Sequence, residues 1–190
     1  MRAAFLFILL LILLPIAVAV QDLLPPIPPM QERVLLLPVL FCFGVMALPL
    51  IPALCFALVT ALVQGLILLQ IQSGQIELGL VGSVVFFLTW AILLQMVSEA
   101  TQGIRWEIHA LGSALVTLTL IGGEFLILCA KRGGFPADAS VLLRCVIPSG
   151  AALLVAPLFY FSLRSLVPYA SEVGVGLPRK SGIGTTGLDS

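Results

Sequence analysis

From Val34 to Ile71 the sequence runs without a single charged residue. A helix rises about 1.5 Å per residue and the hydrocarbon core of a bilayer is about 30 Å thick, so this run exceeds one crossing. Two prolines, Pro49 and Pro52, fall inside it at "ALPLIPAL". Proline lacks the backbone donor and clashes with the preceding turn, so the run is expected to divide there into two spans joined by a tight turn. Four further apolar runs have the length of a span. The expected spans are 5–20, 34–51, 53–71, 78–97, 108–130 and 146–168.

The composition agrees: 61% of residues are hydrophobic, 9% are charged, and the mean hydropathy is +1.21. A water-soluble domain of 190 residues needs far more charge to cover its surface. The expected fold is an all-α integral membrane protein, a compact bundle of about six transmembrane helices over residues 1–170. Residues 171–190, "SEVGVGLPRKSGIGTTGLDS", are Gly- and Ser-rich and are expected to form a flexible tail. The formal net charge is zero, which gives no electrostatic reason to expect nucleic acid as a partner. The lipid bilayer is the partner that composition implies.

The first run follows Met1-Arg2 and ends in "IAVAV". It is expected to remain as a span, with a cleaved secretory signal as the competing reading. The connector after it holds Pro25, Pro26, Pro28 and Pro29 and is expected to be extended. With six spans and an inside N-terminus, Arg2, Arg105, Arg164, Arg179 and Lys180 fall on the cytoplasmic side, against Arg33, Lys131, Arg132 and Arg144 outside. The positive-inside bias therefore favours cytoplasmic N- and C-termini by a narrow margin.

The motifs exclude more than they assign. "GVGLPRKS" (Gly174 to Ser181) approaches a phosphate-binding loop, but Arg179 replaces the glycine before the lysine, and no strand pattern precedes it. G-x-S-x-G and H-E-x-x-H are absent, so no enzyme is expected. Cys42, Cys55, Cys129 and Cys145 form no CxxC pair, and one histidine leaves a metal site almost without ligands. The cysteines are read as small packing residues, and neither metal nor cofactor is expected. His109, beside Glu107 and Trp106, is read as an interfacial residue.

Small residues at close-approach spacing, Gly79, Gly82, Ser83, Ala110, Gly112, Ser113, Ala114, Gly122 and Gly123, fit tight helix packing. Gln64 and Gln95 are expected to hydrogen-bond between helices. Glu124 lies well inside the fifth apolar run. A charge near mid-bilayer costs about 2.5–3.5 kcal/mol on insertion scales, so it should face protein or a polar cavity. It is open to pairing with Arg144 or Lys131, to hydrogen bonding while protonated, or to service as a proton or substrate site. Its expected role is a polar contact that fixes the packing of its helix in the bundle or against a partner helix.

The order of these features, from about Val20 to Val167, resembles the MreD family of the bacterial rod-shape machinery. "RVLLLPVLFCFGVMALPLIP" is similar to a family span ending at "ALP". "ALVTALVQGLILLQIQSGQIELGLVGSVVFF" places Gly65, Gly74 and Gly79 in comparable positions, and "GEFLILC" resembles the family's glutamate in the penultimate span. "VLLRCVIPSGAALLVAPLFYFSLRSLV" resembles its last span, with a small residue, a later Pro157 and basic residues at the exit. The aspartate often found after the third-span glycine is absent, with Gln64 and Gln70 nearest, and the arginine-rich loop is reduced to Arg105.

The resemblance implies a non-enzymatic scaffold of the cell-elongation complex in the bacterial inner membrane. It would bind an MreC-like single-span protein and help organise peptidoglycan synthases. It also implies a fold similar to the substrate-binding subunits of energy-coupling-factor vitamin transporters, which supplies an alternative function. The residues expected at helix packing or partner contact, from these readings together, are Glu124, Gly123, Gln64, Gly65, Gly79, Arg144 and Pro157.

Overall fold

The structure, a computed structural model, describes residues 2–25, 34–71, 80–101, 105–132 and 139–172. They form six α-helices: α1 (Arg2–Leu23), α2 (Leu36–Ala47), α3 (Leu50–Ile71), α4 (Leu80–Ala100), α5 (Trp106–Arg132) and α6 (Ala139–Glu172). The helices follow the apolar runs in order. Gly74 and Gly79, the prolines at 26, 28 and 29 of the connector, and the tail beyond Glu172 lie outside the described residues.

The expectation of six spans is met only in part. Among the described residues, four helices, α1, α4, α5 and α6, are long and apolar enough to cross a membrane. The apolar stretch Leu36–Ala47 is shorter, and so is Leu50–Gly65, the part of the 22-residue α3 whose side chains are described. With 12 residues, α2 rises about 18 Å. The cause is local. Leu48, which precedes Pro49, takes an extended conformation (φ −95°, ψ 152°) because the proline ring disfavours helical geometry before it. The 34–71 run therefore divides into a short piece and a long one.

The short piece is the centre of the bundle. Every residue from Leu36 to Met46 is buried, and α2 packs against α1, α3, α4, α5 and α6. A helix apolar on all sides suits such a position. Around it, Phe41 meets Phe87 of α4 edge to face, with ring centroids 4.9 Å apart. Phe56 of α3, fully buried, lies over Gly44. Leu10, Leu14 and Ala17 bring α1 into the same core. Lipid tails are as apolar as these side chains, so close packing and satisfied polar groups must hold the helices together.

A helix buried this way cannot rely on water for its terminal backbone groups. Two glutamines on other helices answer them. At the N-terminus, the Leu36 N–H donates to Gln21 Oε1 of α1 at 3.1 Å. At the C-terminus, Gln95 Nε2 of α4 donates to the carbonyl of Val45 and, at 2.8 Å, to that of Leu48. The interhelical bonding expected of Gln95 is thus made, and its partners are the last carbonyls of α2.

The helices α5 and α6 pack against each other and against α2. Ala110, Ala152 and Ala156 form a small buried cluster with Val39, which brings three backbones close together. A Cβ on Gly112 would lie 3.1 Å from Leu94 Cδ2, so this glycine does serve close approach between α5 and α4.

Candidate functional site

One face of α5 carries His109, Ser113, Thr117 and Glu124, at intervals of four, four and seven residues. The first three are completely buried. Both hydroxyls are spent on the helix itself: Ser113 donates to the His109 carbonyl and Thr117 to the Ser113 carbonyl, each at 2.7 Å. They do not link the histidine to the glutamate.

His109 was expected at the membrane interface at the start of the span, and within the bundle its ring is fully buried where α5 meets α2 and α6. Its Nε2 lies 3.1 Å from the Val39 carbonyl. A carbonyl only accepts, so this nitrogen carries the proton. Nδ1 has no hydrogen-bond partner among the described residues. The ring sits between Phe43, edge-on at 5.8 Å, and Tyr160, tilted at 6.1 Å. Trp106 and Glu107, at the helix start, are exposed. His109 lies only three residues along from Trp106, but on the side of the helix that faces α2.

Glu124 lies farther along the same face and is half-buried. No hydrogen bond or ion pair to its carboxylate forms among the described residues. Arg144, one partner considered from sequence, is exposed on α6 and is not brought to it. The Lys131 side chain, the other, lies outside the described residues. Of the carboxylates within the apolar stretches Val81–Ala100, Trp106–Ile127 and Leu143–Leu163, Glu99 and Glu107 lie next to a helix end, whereas Glu124 lies well inside α5.

The glycines beside it stand next to open space within this chain. A Cβ at Gly122, Gly123 or Gly150 would meet nothing within 4 Å. Gly123 was expected at helix packing or a partner contact, and inside this chain no neighbour lies where a methyl group would go. Spacing alone cannot tell a glycine in contact from one beside open room. Gly123→Ala and Gly150→Ala should therefore be neutral or stabilising in the isolated chain, by up to about 1 kcal/mol from helix propensity. Unfolding midpoints in mixed micelles would check this, and a loss of stability would show that these positions are in contact.

The remaining sequence candidates are dispersed. Gln64 is half-buried and Gly65 buried on α3, and Pro157 is half-buried in α6. Gln64 makes no hydrogen bond to a described residue. Cys42 and Cys129 are buried, as packing residues should be, while Cys55 is exposed on α3. No three of the described His, Cys, Asp and Glu residues come together as metal ligands. Reasoning from sequence missed Gly44, Gln21 and the Phe43–His109–Tyr160 cluster. Gly44, the sole glycine in an otherwise bulky helix, was a readable signal for the first of them.

Comparison with family models, with curated proteins and with solved structures returns no match to this chain.

Proposed function

We propose that this chain is a non-enzymatic membrane scaffold of the MreD kind, which uses α5 and α6 to receive a membrane helix of a partner protein. The observation that carries the reading is Glu124. It is a carboxylate inside an apolar helix, half-buried and without a described partner, with unfilled space at Gly122, Gly123 and Gly150 on the same two helices. An ionisable group held in a span is expensive unless something answers it. A partner helix that brings a hydrogen-bond donor to Glu124 would do so. The order of motifs that resembles the MreD family makes that partner an MreC-like single-span protein. Peptidoglycan synthases would be organised through the same complex, in the bacterial inner membrane, with both termini cytoplasmic. The transporter-subunit alternative has no observation of its own in its favour, since the bundle centre is filled by Phe41, Phe56 and Phe87.

Glu124→Gln keeps hydrogen-bonding capacity and should retain the partner. Glu124→Leu should lose it by at least about tenfold, equivalent to roughly 1.4 kcal/mol. Partner recovery from the native membrane, at matched expression of the three chains, measures this. Equal recovery with leucine at position 124 would remove the role assigned to the carboxylate.

A further inference from the structure

We infer that the α2–α3 turn, Leu48–Pro49, is seated in bilayer hydrocarbon against lipid acyl chains, so that α2 stops short of a full crossing. α2 enters from the side where α1 ends, where its Leu36 N–H meets Gln21.

Four observations meet at this turn. The segment from Met46 to Ala53, "MALPLIPA", has no polar side chain. The α4–α5 connection at the same end of the bundle is of opposite character, with Ser98, Glu99, Thr101, Arg105 and Glu107. The two are tied in register by Gln95, which holds the Leu48 carbonyl from one helical turn before Glu99. Four residues at about 1.5 Å each put the turn roughly 6 Å below the first charge of the α4–α5 connection.

Next, the turn directs large apolar side chains away from the bundle. Leu50 is 50% exposed and Ile51 76% exposed. Acyl chains are the surroundings that accept such a pair without cost.

Third, the backbone of the turn is largely provided for without water. The Leu48 N–H donates to the Gly44 carbonyl at 3.1 Å, and the Ala53 N–H to the Pro49 carbonyl at 2.9 Å. Gln95 answers Val45 and Leu48, and Pro49 and Pro52 have no N–H to satisfy. Non-helical backbone at membrane depth is tolerated where the protein satisfies it in this way. Finally, α2 is short: its 12 residues stop before a full crossing is complete.

The consequence is a division of labour at that membrane face. The chain meets water there through the α4–α5 connection, and a soluble partner on that side has Glu99, Arg105 and Glu107 to recognise, all exposed.

The test uses the full chain with its four cysteines replaced by alanine, reconstituted in liposomes. A nitroxide is attached at Ile51→Cys in one sample and at Thr101→Cys in another. Collision with oxygen, which concentrates in hydrocarbon, is compared with collision with a water-soluble nickel chelate. The expected result is loss of chelate contact at position 51, with oxygen dominant, and the reverse at position 101. Chelate contact at 51 equal to that at 101 would overturn the inference. If the cysteine-free chain does not fold, Ile51→Lys in the native chain gives the second reading. A hydrocarbon-seated turn loses folded yield on receiving that charge, whereas yield equal to wild type places the turn in water.

Discussion

Gln95→Leu is expected to destabilise the bundle by about 2–4 kcal/mol, the largest effect of any single polar-to-apolar change outside the partner site. The amide is buried on α4 and serves two carbonyls at once, those of Val45 and Leu48. Leaving a buried acceptor unanswered costs about 1–3 kcal/mol. Two acceptors do not double this in full, because a chain unfolded within the membrane also finds partners for its polar groups. Leucine matches the shape of glutamine closely enough that the loss is one of hydrogen bonding rather than volume. Gln95→Asn, one methylene shorter, should reach one carbonyl at most and fall between the two. Unfolding of the three chains in mixed micelles, followed by steric trapping or circular dichroism, gives the ordering. Indistinguishable midpoints would mean that the end of α2 does not need its cap.

Gly44→Ala should cost about 1–3 kcal/mol, by overpacking. A Cβ there would overlap the Phe56 ring, 2.8 Å from Cδ1 and 3.1 Å from Cζ. The ring cannot swing aside into solvent, because Phe56 is fully buried in the core around α2. The cost should shrink when Phe56→Leu is combined with it, and a double-variant cycle measures the recovered coupling. Additive losses would put the clash elsewhere. The contrast with Gly123→Ala and Gly150→Ala is the instructive part. All three residues are glycines in apolar helices, and the same methyl group meets an aromatic ring at one and open space at the other two.

Much of the fold could be read from the chain because its physics is one-dimensional. A run of apolar residues must either be buried or lie in lipid, and prolines with polar connectors mark its ends. That reasoning located all six helices, and α1, α4 and α5 begin and end within a few residues of expectation. It erred where proline decided the geometry. The division at Pro49 was foreseen, but not that it would leave α2 only 12 residues long and central. Which helix lies in the middle depends on packing of all the others, and no local pattern carries it.

The candidate site was legible in its chemistry and obscure in its surroundings. Glu124 announced itself by the cost of a carboxylate in an apolar run. Its neighbours did not, because Gly122 and Gly123 look alike whether they touch a helix or face a gap. His109 shows the converse. Its position beside Trp106 and Glu107 suggested a membrane boundary, and only the placement of Phe43 and Tyr160 around it reveals a buried ring. Gln95 was recognisable as an interhelical donor, but its acceptors, 50 and 47 residues earlier in sequence, were not.

The scaffold reading meets its most direct test in purification of the tagged chain from its own host in nanodiscs, with co-purifying proteins and small molecules identified by mass spectrometry. The account predicts an MreC-like single-span protein, retained by Glu124→Gln and lost with Glu124→Leu. Recovery instead of a vitamin, or of paired ATPases with a coupling membrane protein, would contradict it and make the chain a transporter subunit.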